Sequence, residues 1–196
     1  FQSLAAGDRI YFLSHELLYV LDANAGTVQK KIAPPSGSTY NGIFELQGNV
    51  YLDVDGEQLL MLKGEGLVKS QVNPAAGEIL FIHNLAGKNA SLIGTSGDRL
   101  FVYQQNELRE VVLKDADYLQ RNALVSGAWV NETLVALGTL RGGVIFIDPA
   151  TGTTQEIINY YTGLPDNEVY ALLADQSNGI WVAHEYGFTR IAPFVP

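Results

Sequence analysis

Short apolar stretches bounded by turn residues recur along the chain. They begin at Tyr11, Tyr51, Leu92, Ala136 and Trp181, and successive starts lie 40 to 45 residues apart. Each is followed, after a few turn residues, by a second apolar run, at 17–21, 59–62, 100–103, 144–147 and 188–191. A repeat of this length, built from several short strands, is typical of the four-stranded blades of β-propellers.

The turns between these runs carry residues that tolerate positive backbone φ. Such residues stand at Asp55-Gly56, Ser96-Gly97-Asp98 and Arg141-Gly142-Gly143. Tight hairpins require this conformation, so each pair of runs is predicted to form an antiparallel hairpin. A second turn pattern, an Asp with a Gly four residues later, occurs at Asp22–Gly26 and Asp148–Gly152. Here the Asp side chain can accept hydrogen bonds from the turn backbone.

Two further strands complete each unit. Polar, alternating segments at 27–32, 107–112 and 153–158 predict outer strands with one face in water. More apolar segments at 43–46, 79–83, 124–129 and 169–174 predict inner strands. Because no segment keeps a helical period over three turns, no helix longer than a turn or two is expected.

The pattern predicts an all-β fold, a β-propeller segment of about five four-stranded antiparallel blades over residues 1–196. The units span about 1–38, 39–76, 77–118, 119–162 and 163–196. The fifth unit stops after its third strand, so the last blade is expected to be incomplete. An open blade edge invites pairing. We therefore expect a homo-oligomer, or the remaining blades of a longer chain from which this segment is cut.

Composition and charge exclude several classes of function. Hydrophobic residues make up 47% and charged residues 17%, which is typical of a globular chain. The net charge is −9 and the only adjacent basic pair is Lys30-Lys31, so no nucleic-acid partner is expected. The absence of cysteine removes disulfides and thiolate metal sites. No apolar run is long enough to cross a bilayer, so direct membrane insertion is not expected.

Residues 163–191 carry the most specific motif. It comprises Gly163-Leu164-Pro165-Asp166-Asn167, an apolar strand, a turn from Asp175 to Gly179, and then Trp181-Val182-Ala183-His184. This segment resembles the two-component regulator propeller repeat, found in the sensory β-propeller domain of bacterial hybrid two-component sensor kinases and regulators. His184, Ala183 and Phe188 stand where that repeat usually has Thr, Gly and Leu.

The resemblance implies a non-catalytic sensor domain, periplasmic or extracellular, that binds an oligosaccharide or a partner module. Neither a kinase nor a cofactor is expected in this segment, although the full-length parent would be a sensor kinase. Two alternatives remain open. One is a propeller enzyme of the lyase or quinoprotein kind, since the Asp22 and Asp148 turns are similar to quinoprotein blade turns but lack their Trp. The other is a purely structural interaction scaffold.

The candidate ligand-binding residues fall in loops at the end of the chain. They are Tyr161, Asp166, Asn167, His184, Glu185 and Tyr186, and we expect them on a rim formed by inter-blade loops and hairpins. Structural roles compete with this interpretation, because Asp and Asn also stabilise turns. Trp181 could stack on a sugar ring, but packing between blades is the favoured role.

Two His-Glu pairs and one acidic run are the candidates for metal binding or catalysis. His15-Glu16 and His184-Glu185 occupy matching hairpins, and acid-base chemistry by such pairs is conceivable. No third ligand is spaced nearby, so solvated hairpin residues are the favoured interpretation and neither a metal site nor a catalytic residue is predicted. The acidic run from Asp53 to Glu57 imitates a calcium loop but lacks its length, which favours a charged hairpin turn.

Overall fold

The computed structural model describes residues 1–64, 66–74 and 77–193. Its regular structure is nearly all β, and the strands form five antiparallel sheets, each following chain order. This confirms the predicted fold class of propeller blades. The contacts divide the chain into two compact units, residues 1–79 and the residues from Leu80 onward, which are described separately.

The first unit contains two four-stranded sheets. Sheet 1 consists of β1 (Gln2–Ala6), β2 (Arg9–Leu13), β3 (Leu18–Asp22) and β4 (Val28–Ile32). Sheet 2 consists of β5 (Tyr40–Leu46), β6 (Asn49–Val54), β7 (Gln58–Lys63) and β8 (Gly66–Lys69).

The second unit holds three sheets. Sheet 3 consists of β9, which begins at the last residue of the first unit (Ile79–Asn84), β10 (Ala90–Thr95), β11 (Leu100–Gln104) and β12 (Glu107–Glu110). Sheet 4 consists of β13 (Leu124–Asn131), β14 (Leu134–Thr139), β15 (Gly143–Asp148) and β16 (Thr153–Ile158). Sheet 5 has β17 (Ala171–Ala174), β18 (Ile180–His184) and β19 (Gly187–Ile191).

The turns use the chemistry expected of them. Asp22 Oδ1 accepts the N–H groups of Asn24 and Ala25, each at 2.9 Å, and Gly26 has φ 65°. Asp148 Oδ1 accepts the Ala150 N–H at 2.7 Å in the matching turn. These backbone hydrogen bonds hold the pKa of both carboxyls below the usual range. The predicted Asp-to-Gly turns are confirmed.

Adjacent sheets bury apolar side chains between their faces. We call the face toward the preceding sheet the leading face and the face toward the following sheet the trailing face. Between sheets 4 and 5, the trailing face of sheet 4 supplies Ala128, Val130, Ala136, Val144 and Phe146, and the leading face of sheet 5 supplies Leu172, Ala174, Ile180, Val182 and Ile191. Sheets 1 and 2 share a similar cluster that includes Tyr11, Leu13, Val50 and Leu52. Alternate side chains along each strand therefore serve two different interfaces.

Hydrogen bonds join inner strands of neighbouring sheets. Gln2 Oε1 accepts the Ile43 N–H at 3.0 Å, and Ser126 Oγ accepts the Leu172 N–H at 3.1 Å. Each bond links a side chain on one inner strand to the backbone of the inner strand in the next sheet. Adjacent sheets are therefore positioned relative to each other by hydrogen bonds as well as by apolar packing.

One short helix, α1 (Ala116–Asn122), lies between sheets 3 and 4 in sequence. Leu119 is its buried anchor, and the Tyr118 hydroxyl donates to the Gly142 carbonyl at 2.6 Å. Its seven residues stay within the expected limit of about two turns. None of the described helices is long and apolar enough to span a membrane.

Sheet 5 differs from the other four because it has three strands in the part of the chain described. The missing outer strand was predicted from where the fifth unit stops. Strand β17 begins at Ala171 rather than at 169, because the Val169 N–H is donated to Thr139 of the preceding sheet.

Candidate functional site

A capped turn displays two tyrosines after sheet 4. Residues Tyr160–Thr162 form a 3₁₀ turn that begins after Asn159 and ends at Gly163, whose φ is 113°. Asn159 Oδ1 accepts the Tyr161 N–H at 2.9 Å, and Thr162 Oγ1 accepts the Asn159 N–H at 2.7 Å. This reciprocal capping satisfies the turn backbone. The rings of Tyr160 and Tyr161 meet edge to face at 5.9 Å, and Tyr161 is 90% exposed.

Asp166 and Asn167 hold the next loop in place. Asn167 Oδ1 accepts the Tyr160 N–H at 2.7 Å, and its carbonyl accepts the Gly143 N–H at 2.9 Å. Asp166 Oδ1 accepts the Glu168 N–H at 3.1 Å. Both side chains therefore have structural hydrogen bonds, and these bonds fix the position of Tyr160 relative to the loop.

The hairpin between β18 and β19 contains the other three candidates. His184 is only 6% exposed, so it is not the solvated hairpin residue expected from its position. Its Nδ1 accepts the Tyr186 N–H at 3.2 Å and its Nε2 lies 2.8 Å from Thr189 Oγ1. Because Nδ1 accepts, the proton of the neutral ring is on Nε2 and is donated to Thr189. Tyr186, 74% exposed, and Glu185 project from this support.

Tyr170 connects the loop with the hairpin and was not among the residues selected from the sequence. Its half-exposed ring precedes β17, and partial loss of hydration raises the pKa of its hydroxyl. The charges of Glu168, Glu185 and Asp166 raise that pKa further, as does a hydrogen bond that the hydroxyl donates to the Glu168 carboxylate. Carboxylates of both the loop and the hairpin therefore act electrostatically on one tyrosine, whose backbone N–H is donated to the Ala183 carbonyl at 2.9 Å. The available signal was an aromatic residue at a strand end, two positions after Glu168.

We call this surface the tyrosine rim. It consists of Tyr160, Tyr161, Asp166, Glu168, Tyr170, Glu185 and Tyr186. The structure links Asp166 and Glu185 through Tyr170, and it links Asn167 with Tyr160, while His184 lies beneath the hairpin. Exposed tyrosine faces beside carboxylates suit the binding of polyhydroxylated molecules, because rings pack against C–H surfaces and carboxylates accept hydroxyl protons.

The other candidates from the sequence have structural surroundings. The buried carboxylate of Asp53 accepts the Ile79 N–H at 2.8 Å, and Asp55 Oδ1 accepts the Thr39 N–H at 2.8 Å. Burial raises the pKa of Asp53. Across the described ranges, no group of three or more His, Asp or Glu side chains is placed to hold a metal ion.

Two further concave surfaces are lined by residues outside the rim. A polar cavity of about 320 Å³ beside α1 is lined by Lys114, Asp115, Asp117, Tyr118, Arg121 and Ile157. An apolar depression of about 340 Å³ lies on sheet 5, lined by Ala171, Leu172, Leu173, Trp181, Ala183 and Phe188. Trp181 is thus on a sheet face suited to packing between blades, and it remains partly exposed there.

No protein-family model and no curated protein matches the sequence. Solved structures do share the fold. Two crystal structures of the extracellular domain of BT4673 from B. thetaiotaomicron, described as a putative one-component and a putative hybrid two-component system, align with TM-scores of 0.68 and 0.67 at 18% identity. Both alignments cover 96% of this chain and about a quarter of the other, 27% and 26%.

A third solved structure also shares the fold. BamB from Moraxella catarrhalis aligns with a TM-score of 0.60 and 13% identity over 96% of this chain and 70% of that one. The chain therefore has a propeller-blade fold shared with the extracellular domain of a two-component system, as the resemblance of residues 163–191 indicated.

Proposed function

We propose that this chain is a non-catalytic segment of an extracytoplasmic sensor propeller and that its tyrosine rim binds a neutral oligosaccharide. The observation that carries the proposal is the exposure of Tyr161, Tyr170 and Tyr186 on one loop and one hairpin, where the charges of Asp166, Glu168 and Glu185 all act on Tyr170. This places exposed aromatic rings and hydrogen-bond acceptors on loops whose own backbone groups are already bonded. Such a site is formed before the ligand arrives, which lowers the entropic cost of binding.

The charge of the rim favours a neutral ligand. The negative charges of three carboxylates act on Tyr170, and the whole chain has a net charge of −9. An anionic saccharide would meet like charge at the rim and across the molecule. The sugar hydroxyls of a neutral oligosaccharide instead supply the donors that carboxylates need.

The histidines make structural hydrogen bonds, and those of His184 argue against a catalytic role for this residue. His184 uses both ring nitrogens inside its hairpin. His83 Nδ1 accepts the Trp129 N–H at 3.3 Å, and His15 Nδ1 lies 2.9 Å from the Tyr40 carbonyl. Because both of its ring nitrogens are engaged, His184 would have to break a structural hydrogen bond to act as an acid or a base.

Calorimetry with panels of neutral and uronate-containing oligosaccharides tests the proposal. A neutral saccharide is expected to bind, and Tyr161→Ala and Tyr186→Ala are each expected to weaken it about tenfold, equal to roughly 1.4 kcal/mol. Phe1→Ala is the matched control, since Phe1 is an exposed ring outside the rim. Unchanged affinity in both tyrosine variants, or saccharide turnover that disappears in His184→Ala, would contradict the proposal.

A further inference from the structure

The cavity beside α1 has a fixed apolar part. Tyr118 of α1 and Ile157 of β16 line it, and both pack against the buried apolar cluster between sheets 3 and 4. The Tyr118 hydroxyl donates to the Gly142 carbonyl at 2.6 Å, which holds the far end of the ring. The volume of about 320 Å³ is at the lower end of ordinary ligand pockets, about 300 to 1,000 Å³, and therefore suits a small molecule.

Charged side chains of both signs form the rest of the lining. Lys114 and Arg121 are cationic and Asp115 and Asp117 are anionic, so the lining carries no net charge near neutral pH. All four are exposed, which makes them accessible to a ligand. Within the part of the chain that the structure describes, no ion pair joins any two of them. Their charges can therefore form charge-assisted hydrogen bonds with a bound molecule.

The separation of charges is clearest for Asp117 and Arg121. They stand four residues apart on α1, a spacing at which opposite charges ordinarily interact. Arg121 Nε instead donates to the backbone carbonyl of Asp117 at 3.1 Å. The Asp117 carboxylate therefore keeps its acceptor oxygens for a ligand. Lys114 also acts on Asp148, whose pKa its charge lowers, so Arg121 is the principal cation of the cavity.

Charges of both signs in one small cavity favour a dipolar ligand. A ligand with a single charge would be attracted by one pair of side chains and repelled by the other. An α-amino acid carries both an ammonium and a carboxylate group near neutral pH. The ammonium can donate to the Asp side chains, and the carboxylate can accept from the guanidinium. An apolar side chain on the same molecule can pack against the aromatic ring.

We propose that the cavity beside α1 binds an α-amino acid with an apolar side chain. Arg121 binds the carboxylate of the ligand, Asp117 binds its ammonium group, and Tyr118 and Ile157 contact its apolar side chain. The site uses side chains and none of the backbone N–H groups of α1. It shares no residue with the tyrosine rim, so it does not rest on oligosaccharide binding there.

Calorimetry with L-leucine and two analogues tests the proposal. Isocaproate lacks the ammonium group of leucine, and isopentylamine lacks its carboxylate, so each analogue keeps the apolar group with a single charge. Leucine is expected to bind, and each analogue is expected to bind about tenfold more weakly, because each loses a hydrogen bond to a charged group. Equal affinities for leucine and either analogue would overturn the assignment of a dipolar ligand.

Two variants test the residues. Arg121→Gln and Asp117→Asn are each expected to weaken leucine binding about tenfold. Lys69→Gln and Asp8→Asn are the matched controls, because they remove the same charges from exposed residues outside the lining. Circular dichroism checks that each variant folds, and either variant alone is informative if the other does not.

Several outcomes would contradict the proposal. Failure of the parent chain to bind leucine would do so, as would unchanged affinity in the folded variants. Displacement of leucine by a neutral oligosaccharide would assign the cavity to a saccharide instead. Tyr161→Ala is expected to bind leucine as the parent does, so failure of the tyrosine rim to bind oligosaccharide would leave this test intact.

Discussion

The backbone N–H of Leu172 donates to Oγ of Ser126, at 3.1 Å and 46 residues earlier in the chain. The two residues lie on the inner strands of sheets 5 and 4, so this bond joins consecutive blades. Apolar packing resists separation of the sheets, but it discriminates weakly among small displacements along the strands. A directional hydrogen bond adds that discrimination.

Ser126→Ala is expected to lower the free energy of unfolding by about 1 kcal/mol, the usual net contribution of an intramolecular hydrogen bond. The Leu172 N–H loses its acceptor at a partly buried interface. Urea denaturation measures the change, with Ser177→Ala, an exposed turn residue, as the control. Equal stabilities for the two variants would show that the bond contributes nothing net.

Gly138→Ala is expected to destabilise the chain by about 1 to 3 kcal/mol, since insertion of a methyl group into a packed interface forces a shift. A Cβ at this position would lie 2.7 Å from Val169 Cγ1 and 3.3 Å from Leu172 Cγ. Gly66→Ala is the matched control, because a Cβ there meets nothing within 4 Å. Thermal unfolding of both variants separates crowding from a general cost of replacing glycine.

The acid sensitivity of sheet 5 is expected to depend on Asp175. Its carboxylate binds Arg190 Nε at 2.7 Å and the N–H groups of Gly179 and Ser177, each at 2.8 Å. Arg190, followed by these backbone groups, lowers the pKa of Asp175 from 3.8 to about 2. A lowered carboxyl pKa stabilises the fold above 3.8, and this contribution is lost as the pH falls from 3.8 toward 2.

Asp175→Asn is therefore expected to flatten the dependence of unfolding free energy on pH in that interval. Denaturation at pH 2, 3, 4 and 6 measures the slope. Asp115→Asn is the control, because Asp115 makes no capping hydrogen bond at the start of α1. A slope between pH 4 and 2 that is identical in the Asp175 variant and the parent would contradict the assignment.

Local chemistry explains which parts of this architecture the sequence predicts. The turns at Asp22 and Asp148 depend on residues within four positions of each other, so their pattern is visible in the chain. The bond between Ser126 and Leu172 has no such pattern, because the stacking of two sheets creates it. The burial of His184 was also missed, because its partner Thr189 is brought close only by the pairing of β18 with β19.

In the candidate site, too, exposed residues could be predicted from the sequence but the relations between distant segments could not. Tyr161, Asp166 and Tyr186 could be selected because polar and aromatic residues at strand ends are exposed. Their relation to Tyr170 could not, because it requires the hairpin at Glu185 to lie beside the loop at Asp166. The helix α1 was also missed, since seven residues with one buried anchor, Leu119, produce no periodic signal.

A loss of stability below neutral pH is expected from His83. Its Nδ1 accepts the Trp129 N–H at 3.3 Å, and burial lowers its pKa below 6.5. The fold therefore favours the neutral ring. This contribution is present above pH 6.5 and declines as the pH falls from 6.5 to the pKa in the folded state. Protonation of Nδ1 also removes the acceptor for Trp129.

His83→Gln keeps a hydrogen-bond acceptor but does not titrate, so its stability is expected to change less than that of the parent between pH 7 and 5. Chemical denaturation at both pH values measures the difference. His15→Gln, at an exposed hairpin position, is the control. An NMR titration that places the pKa of folded His83 above 6.5 would contradict the expected direction.

The charge of the tyrosine rim is expected to set its selectivity. The carboxylates of Glu168 and Glu185 raise the pKa of Tyr170, so replacing both with Gln should lower that pKa toward its usual value. The same Glu168→Gln/Glu185→Gln variant should bind uronate-containing oligosaccharides about two- to fivefold more tightly than the parent, since exposed charge pairs contribute up to about 1 kcal/mol.

Calorimetry at low and high salt measures the affinity for uronate-containing oligosaccharides. Added salt should narrow the difference, because screening weakens repulsion between exposed charges. Glu107→Gln/Glu132→Gln, which removes two exposed carboxylates outside the rim, is the control for net charge. An equal gain in uronate affinity for this control would show that overall charge, and not the rim, governs the choice of saccharide.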